Sequence, residues 1–236
     1  MKIVVFGPSG AGKSSFVRKV GETKVLNTDR GGTTVALDYT SAHVMGIKLA
    51  LFGVPGKIRF KAIREILLEG SDGILFLVDA ADPSRDTDAK KLLAEVRKIT
   101  PTVPLLICLN KMDSPEARDP AEIIKSLELP PTESVISISV KENKNIMLAL
   151  KKLLLYILVR VAPFFVALEK YNKIKGGLDK AVSELKSEYP NISAAINYYA
   201  RRGIISINWE DRMYSINESV LKMVFAIDRI LSEERG

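Results

Sequence analysis

Residues 7–14 read GPSGAGKS, a stretch whose residue types and spacing are suited to binding phosphate. Glycines spaced in this way let successive backbone N–H groups point at phosphate oxygens, and a helix that follows adds the partial positive charge of its N-terminus. Lys13 can reach the β- and γ-phosphates of a nucleotide, and Ser14 can offer its hydroxyl to Mg²⁺. We therefore predict a phosphate-binding loop with these candidate contacts: Gly7, Ser9, Gly10, Ala11, Gly12, Lys13, Ser14 and Ser15.

A second polar motif, NKMD, follows the apolar run PLLICLN at residues 110–113. Asp113 can accept hydrogen bonds from guanine N1–H and the 2-amino group, and adenine cannot supply both. Lys111 can lay its stem along the base, and Asn110 can tie this loop to the phosphate-binding loop. The alternative is an ordinary turn after a strand. The motif favours recognition of a guanine base.

The elements that must position these loops alternate between apolar strands and helical patterns. Runs typical of buried strands occur at residues 2–6, 73–80, 104–110 and 134–140, and helical patterns separate them. Such alternation predicts right-handed βαβ crossovers and a mainly parallel sheet. Two further strand patterns, TVALDYTSAH and VMGIKLALFG, follow one another directly. Only two or three residues would join the strands, which is too short for a parallel crossover, so we expect them to pair antiparallel. We predict an α/β P-loop NTPase fold with a mainly parallel six-stranded sheet and one antiparallel edge strand.

Composition limits the chemistry available to the chain. It has 236 residues and a net charge of +7, which is spread along its length and gives mild support for acidic partners such as phosphate or membrane. One cysteine, Cys108, and one histidine, His43, exclude a disulfide framework and leave little material for transition-metal sites or Ser/His catalysis. With no signal peptide visible, we expect a cytoplasmic protein.

The apolar segment 153–168 is interrupted by Arg160 and Pro163 and is shorter than a helix that crosses a bilayer. We predict a buried helix at a domain junction and no transmembrane segment. Peripheral membrane contact is the alternative.

Five stretches together resemble the motifs of Ras-superfamily small GTPases over residues 1–158. They are GPSGAGKS, TTVALDY, LFGVPGKIRF, NKMD and SISVKENKNI. The second and third resemble the prokaryotic branch, which includes bacterial cell-polarity GTPases and related archaeal proteins. The resemblance implies GTP and GDP as ligands with Mg²⁺, and a protein effector or activating protein as partner. It also implies that the loop of Ser139, Val140 and Lys141 contacts guanine O6 through backbone amides.

The resemblance further assigns the nucleotide-sensing residues. Thr34, or the adjacent Thr33, would contact Mg²⁺ and the γ-phosphate, so that Ser14 and Thr34 are the candidate metal ligands. The preceding segment, residues 23–32, has two glycines and polar residues and is expected to be a moving loop. Gly56 matches the glycine whose N–H contacts the γ-phosphate.

Two positions depart from the D-x-x-G-Q pattern of these GTPases. Gly53 stands where the acid is expected, and Lys57 stands where a glutamine orients the attacking water. Lysine has no acceptor for that water, but it could place positive charge near the γ-phosphate; alternatively it faces solvent. With Lys13, Thr34 and Lys57 as candidate catalytic residues, we predict slow hydrolysis that a partner protein accelerates.

Residues 159–236 read as a second domain. Helical patterns are followed by two alternating runs, IISINW and RMYSIN, and then by a last helix. This order resembles a winged helix-turn-helix. The helix that would face DNA has two basic residues, Arg201 and Arg202, which is little positive charge for binding phosphates. Protein docking is therefore favoured over DNA binding. Three functions remain: a GTP-hydrolysing switch, a nucleotide-binding scaffold that barely hydrolyses, and a GTP-controlled DNA-binding regulator.

Overall fold

A computed structural model describes residues 1–21, 24–30, 33–54 and 61–233, with backbone only at 24–30, 33–36 and 61. The chain divides into two compact units, the first formed by Met1–Val44 and Leu49–Leu154, the second by Met45–Lys48 and Leu155–Gly236. The predictions for Gly56 and Lys57 concern residues outside the described ranges.

The first unit alternates strands and helices. In chain order its elements are β1 (Lys2–Phe6), α1 (Lys13–Val20), β2 (Lys24–Arg30), β3 (Thr33–Val44), β4 (Ile47–Gly53), α2 (Lys61–Leu68), β5 (Gly73–Asp79), α3 (Asp86–Ile99), β6 (Leu105–Asn110), α4 (Pro120–Ser126), β7 (Val135–Ser137) and α5 (Ile146–Glu169). The helix α5 continues beyond this unit into the second one. The element order is that of a doubly wound α/β domain.

The described strands form a sheet in the order β2-β3-β4-β1-β5-β6-β7. β1 pairs in parallel with β4 and β5, and the parallel pairing continues through β6 to β7. The strands β1, β5 and β6 are almost entirely buried, as expected for strands with helices on both faces. The predicted fold class is confirmed.

One part of the prediction differs, because residues 24–30 form strand β2 rather than a loop. β2 pairs antiparallel with β3 and makes the described sheet seven-stranded. β3 is therefore an internal reversed strand rather than the edge. An edge strand is held by backbone hydrogen bonds and does not require an apolar pattern. The polar residues of this segment therefore did not predict a strand.

A two-residue turn, Met45–Gly46, joins β3 to β4. Both residues have positive φ, 52° and 78°, the conformation that matches the twist of a two-residue hairpin. Val44 and Ile47 face each other across this turn. Asp38 lies six residues before Val44 and Gly53 lies six residues after Ile47, so the hairpin places Asp38 opposite Gly53.

The second unit contains α6 (Gly177–Glu184), α7 (Ile192–Arg201), β8 (Ile205–Asn208), β9 (Met213–Ile216) and α8 (Glu218–Glu233), together with the later part of α5. β8 and β9 form the predicted antiparallel hairpin. Its core includes Phe164 and Phe165, which pack against Tyr199 with ring centroids 5.8 and 4.8 Å away. Tyr214 is buried and its hydroxyl donates to the Leu168 carbonyl.

Candidate nucleotide-binding site

The loop between β1 and α1 has a backbone that glycine alone adopts readily. Gly7, Gly10 and Gly12 have φ of 135°, 85° and 93°. A Cβ atom on Gly7 would lie 2.2 Å from the Leu77 carbonyl oxygen, so this glycine also permits close contact with β5. The loop thus has the compact form that a phosphate-binding loop requires.

Asn110, at the end of β6, links this loop to a third one. Its Nδ2 donates to the Ala11 carbonyl at 2.9 Å, and its Oδ1 accepts from the Val140 N–H at 3.1 Å. A Cβ atom on Gly12 would lie 2.3 Å from Asn110 Nδ2, so glycine is needed there to admit the amide. The predicted tie between Asn110 and the phosphate-binding loop is confirmed.

Lys13 begins α1 and is buried, with its ammonium 2.6 Å from the Pro8 carbonyl oxygen. Burial lowers the pKa of Lys13 to about 8, against the opposing effect of the Asp38 carboxylate. Because that value is still above 7, the side chain is mostly protonated at neutral pH. It can therefore offer one ammonium group to a phosphate in a site of low polarity.

The start of α1 leaves backbone N–H groups available to a ligand. Its first turn has no acidic residue, and the described residues provide no side-chain cap at Gly12. Ser14 is half-buried and Ser15 is exposed in that first turn, while Ser9 is exposed in the preceding loop. An uncapped helix N-terminus with adjacent hydroxyls favours an anion.

Asp113 follows β6 and is held as a carboxylate. Its Oδ1 accepts from the Ser139 hydroxyl at 2.5 Å, and its Oδ2 lies 3.8 Å from the Lys141 ammonium. The Ser139 hydrogen bond is the main cause that lowers the pKa of Asp113 below its usual value. An ionised acceptor in this place suits the N1–H and 2-amino donors of guanine.

Lys111 of the same loop has a positive φ of 67°, and its ammonium lies 2.5 Å from Asp79 Oδ2 at the end of β5. The other oxygen of Asp79 accepts from the Ala81 N–H at 3.0 Å. The Asp79 carboxylate thus fixes the Lys111 side chain across the carboxyl ends of two neighbouring strands, where ligands bind in open α/β sheets.

The loop of Ser139, Val140 and Lys141 comes next to these residues, but two of its amides are already in use. The Ser139 N–H donates to the Lys144 carbonyl, and the Val140 N–H donates to Asn110. In the part of the chain that the structure describes, the Lys141 N–H has no acceptor. The amide available for a guanine carbonyl is therefore that of Lys141.

The nucleotide-sensing residues are only partly described. Thr34 lies in β3 with its Cα paired to Asp29, and the side chains of Thr33 and Thr34 are outside the description. The structure therefore brings together the phosphate-binding loop, Asn110, Lys111, Asp113 and the Ser139–Lys141 loop. Thr34 as a metal ligand and Gly56 and Lys57 as site residues stay predictions.

Sequence reasoning missed Asp38, which lies beside the position of the absent acid. A Cβ atom on Gly53 would be 3.1 Å from Asp38 Cβ, 3.4 Å from Val17 Cγ2 and 3.5 Å from Asp38 Oδ2. The carboxylate is also close enough to Lys13 to raise its pKa. The signal was present in the TVALDY run, since hairpin counting from the turn pairs residue 38 with residue 53.

These loops enclose a cleft of about 630 Å³. Within residues 1–21, 24–30, 33–54 and 61–233, no three His, Cys, Asp or Glu side chains group to form a metal site. The Ser14 hydroxyl fits Mg²⁺, which binds through few protein oxygens and keeps several waters, and the Asp38 carboxylate is a suitable acceptor for such waters. The cleft is lined by Gly12, Ser15, Arg18, Lys19, Asn110, Lys111, Asp113, Ser114, Pro115, Val140 and Lys141.

The fold and the site define the class of this chain as a Ras-superfamily small GTPase with an α/β P-loop fold. The family model described as ADP-ribosylation factor family matches residues 1–156, and the chain belongs to that family.

Individual similarities are more distant. The chain is 35% identical over 115 residues to an uncharacterised protein of Methanocaldococcus jannaschii, which covers 48% of this chain and 71% of that protein. It is 29% identical over 133 residues to human ADP-ribosylation factor-like protein 4C, covering 55% and 69% of the two chains. The Arl6 BBS3 small GTPase of Trypanosoma brucei, with bound nucleotide analogue GppNp, shares the fold. That match has a TM-score of 0.56 and 18% identity over 66% of this chain and 96% of the other.

A helix long and apolar enough to cross a membrane was not found among the described residues.

Proposed function

We propose that this chain is a molecular switch that binds GTP and GDP with Mg²⁺ and hydrolyses GTP slowly. The observation that carries the proposal is the pair of bonds made by Asn110, which connects the phosphate-binding loop to the loop beside Asp113. One side chain thereby fixes the distance between a phosphate site and a guanine acceptor. The family membership of residues 1–156 supports the same ligand.

Each end of the nucleotide has its own protein groups in this proposal. The Lys13 ammonium leaves the Pro8 carbonyl for the phosphate oxygens, and the N–H groups of the first turn of α1 donate to the same phosphates. Asp113 accepts from the guanine edge, and the Lys141 N–H donates to its carbonyl. Adenine would leave the Asp113 carboxylate without two donors, which sets the specificity.

Mg²⁺ would be held by Ser14, by Thr34 and by phosphate oxygens, and when bound it neutralises charge that develops on the transferred phosphoryl group. Asp38 is placed to accept hydrogen bonds from metal-bound waters, the task of the acid that Gly53 replaces. In this proposal the carboxylate that orients the metal-bound waters comes from β3, the neighbour of β4 in the sheet.

The test of this proposal is calorimetry with Mg²⁺ and GDP, a non-hydrolysable GTP analogue or a non-hydrolysable ATP analogue. We expect both guanine ligands to bind and the ATP analogue to bind at least 100-fold more weakly. Asp113→Ala should remove that preference while the protein stays folded. Equal binding of the ATP analogue, or no binding of either guanine nucleotide, would refute the proposal.

Slow hydrolysis is proposed because the chain has Lys57 where a water-orienting glutamine is expected. Single-turnover GTP hydrolysis should be slow for the purified protein and faster for Lys57→Gln. Unchanged hydrolysis in that variant would remove Lys57 from the mechanism. Fast turnover by the protein alone would contradict the requirement for an activating partner. A protein with no detectable turnover under any condition would instead be the nucleotide-binding scaffold.

Residues 1–158 are proposed to form the GTPase domain, and residues 159–236 are proposed to form a winged-helix-like domain that docks a protein partner. Its positive charge is poorly placed for DNA, because Arg202 stacks on the Tyr198 ring at 3.5 Å and Arg212 pairs with Asp179 at 2.6 Å. Trp209, at the turn of the β8–β9 hairpin, is 58% exposed and suits a protein contact.

The prokaryotic branch of the superfamily is proposed as the origin of the chain, supported by the relative from Methanocaldococcus jannaschii. A cytoplasmic location goes with this proposal, because GTP is available there. Peripheral membrane contact stays a prediction.

A further inference from the structure

Two cations line the cleft away from the phosphate-binding loop. Arg18 and Lys19 lie in the last turn of α1, are exposed and form part of the cleft wall. In the described part of the chain neither side chain has an ion pair or a hydrogen bond. Basic residues at a helix C-terminus also stabilise the helix, but that role does not require them to face a ligand cleft.

Their positions are displaced from the site of the 5′ phosphates. Ser15, in the first turn of α1, also lines the cleft, and Arg18 and Lys19 follow it by three and four residues on the same helix face. One helical turn advances the chain by about 5 Å. The two cations are therefore about one turn beyond the N–H groups and the Lys13 ammonium that would hold a 5′ diphosphate.

The other charges of the cleft are already balanced. Lys111 is paired with Asp79, and Lys141 lies 3.8 Å from Asp113, the carboxylate among the lining residues. Arg18 and Lys19 thus leave two positive charges in the cleft wall without a carboxylate partner in the described part of the chain. A second anionic group on the ligand would pair with them.

We propose that this cleft binds guanine nucleotides that carry a phosphate or diphosphate on a ribose hydroxyl in addition to the 5′ diphosphate. Arg18 and Lys19 bind that second group. The inference rests on the proposed function, since it takes the guanine and 5′ phosphate positions from it. A nucleotide of this class has no 5′ γ-phosphate, so its binding would hold the switch in the state set by GDP and compete with GTP.

The experiment is calorimetry of the full chain with Mg²⁺ at fixed ionic strength, using GDP and guanosine 3′,5′-bis(diphosphate) as ligands. We expect the second ligand to bind at least 10-fold more tightly than GDP. In the double variant Arg18→Gln, Lys19→Gln that ratio should fall to within about 2-fold of unity, while the Kd for GDP changes less than about 3-fold.

The matched control is Lys91→Gln, Lys98→Gln on α3, which removes the same charge from two exposed lysines that do not line the cleft. It should keep the ratio of the unmodified chain. Equal affinity of the unmodified chain for both ligands would overturn the inference, as would a ratio that the cleft variant leaves intact or the control also abolishes. Absence of any GDP binding would instead refute the proposed function, so the two failures are distinguishable.

Discussion

The Asp38 carboxylate lies next to the backbone of Gly53, where a Cβ atom would be 3.5 Å from Asp38 Oδ2. An aspartate at residue 53 and one at residue 38 would compete for the same space, so the acid on β3 and the glycine on β4 form a complementary pair. The acidic group is present in the site although it comes from the neighbouring strand.

Asp38→Asn should weaken Mg²⁺ binding in the nucleotide complex, because an amide orients metal-bound waters less well than a carboxylate. We expect the Mg²⁺ concentration for half-maximal GDP retention to rise about 10–100-fold. Mant-GDP release measured against Mg²⁺ concentration gives this value. Asp88→Asn, at an exposed position in α3, is the control and should match the unmodified chain. An unchanged Mg²⁺ requirement in Asp38→Asn would exclude this role.

Lys13→Met should have opposite effects on stability and binding. Burial lowers the pKa of Lys13 to about 8 from its ordinary 10.5, so folding opposes the charged form. The uncharged side chain should raise the free energy of unfolding of the nucleotide-free protein by about 1–3 kcal/mol at pH 7. GDP binding should be lost, because the phosphates lose their ammonium partner. Urea unfolding and calorimetry measure the two effects; a destabilised variant would contradict the first.

The same pKa gives a pH dependence with a defined sign. Between pH 8 and 10.5 the unfolded chain binds more protons at Lys13 than the folded chain, so its contribution to stability becomes more favourable as pH rises. Nucleotide affinity should fall over the same window, because the ammonium becomes neutral. Lys13→Met should lack this contribution to the stability profile. GDP affinity that rises with pH above 8 would be inconsistent with a protonated Lys13 in the complex.

Asn110→Ala should destabilise both loops that Asn110 connects. It removes a donor to the buried Ala11 carbonyl and an acceptor for the Val140 N–H, and each unpaired group costs about 1–3 kcal/mol. GDP should dissociate at least 10-fold faster, because phosphate and base loops are no longer fixed together. Asn197→Ala, at an exposed position in α7, is the control. Thermal unfolding and nucleotide release test this, and release as slow as in the control would contradict it.

Gly7→Ala and Gly10→Ala should differ in their effect on stability although both residues have positive φ. The new Cβ at residue 7 would lie 2.2 Å from the Leu77 carbonyl oxygen, whereas nothing lies within 4 Å of the one at residue 10. We expect the free energy of unfolding to fall by about 1 kcal/mol in Gly10→Ala, because of backbone strain. In Gly7→Ala it should fall by more than about 4 kcal/mol, because the clash is added to that strain. Denaturant unfolding without nucleotide compares them. Similar losses for both would show that strain alone acts.

The sequence was sufficient for the parts of the site that depend on local geometry. A glycine-rich loop between a buried strand and a helix dictates where N–H groups point, so the phosphate-binding loop and the tie through Asn110 were predictable. Strand alternation likewise predicted the parallel sheet. The hairpin of the second unit was predictable because two alternating runs flank a short polar turn.

Other features depended on pairing between strands, which residue patterns specify poorly. β2 is held by backbone hydrogen bonds to β3, and residues 24–30 lack the alternation of apolar and polar residues that would predict a strand. Asp38 became a site residue only through its neighbour across the sheet. The bond from the Val140 N–H to Asn110 joins loops thirty residues apart, and it reduced the amides available to the base.

The turn Met45–Gly46 therefore has an influence far from where it lies. Successive strand residues alternate between faces, so a single inserted residue there would send the Asp38 carboxylate to the opposite side of the sheet. The length of the Met45–Gly46 turn thus helps to determine whether a carboxylate is available at the proposed Mg²⁺ site. A change in the length of the turn would therefore alter the metal end of the site through strand register, without any contact between the turn and a ligand.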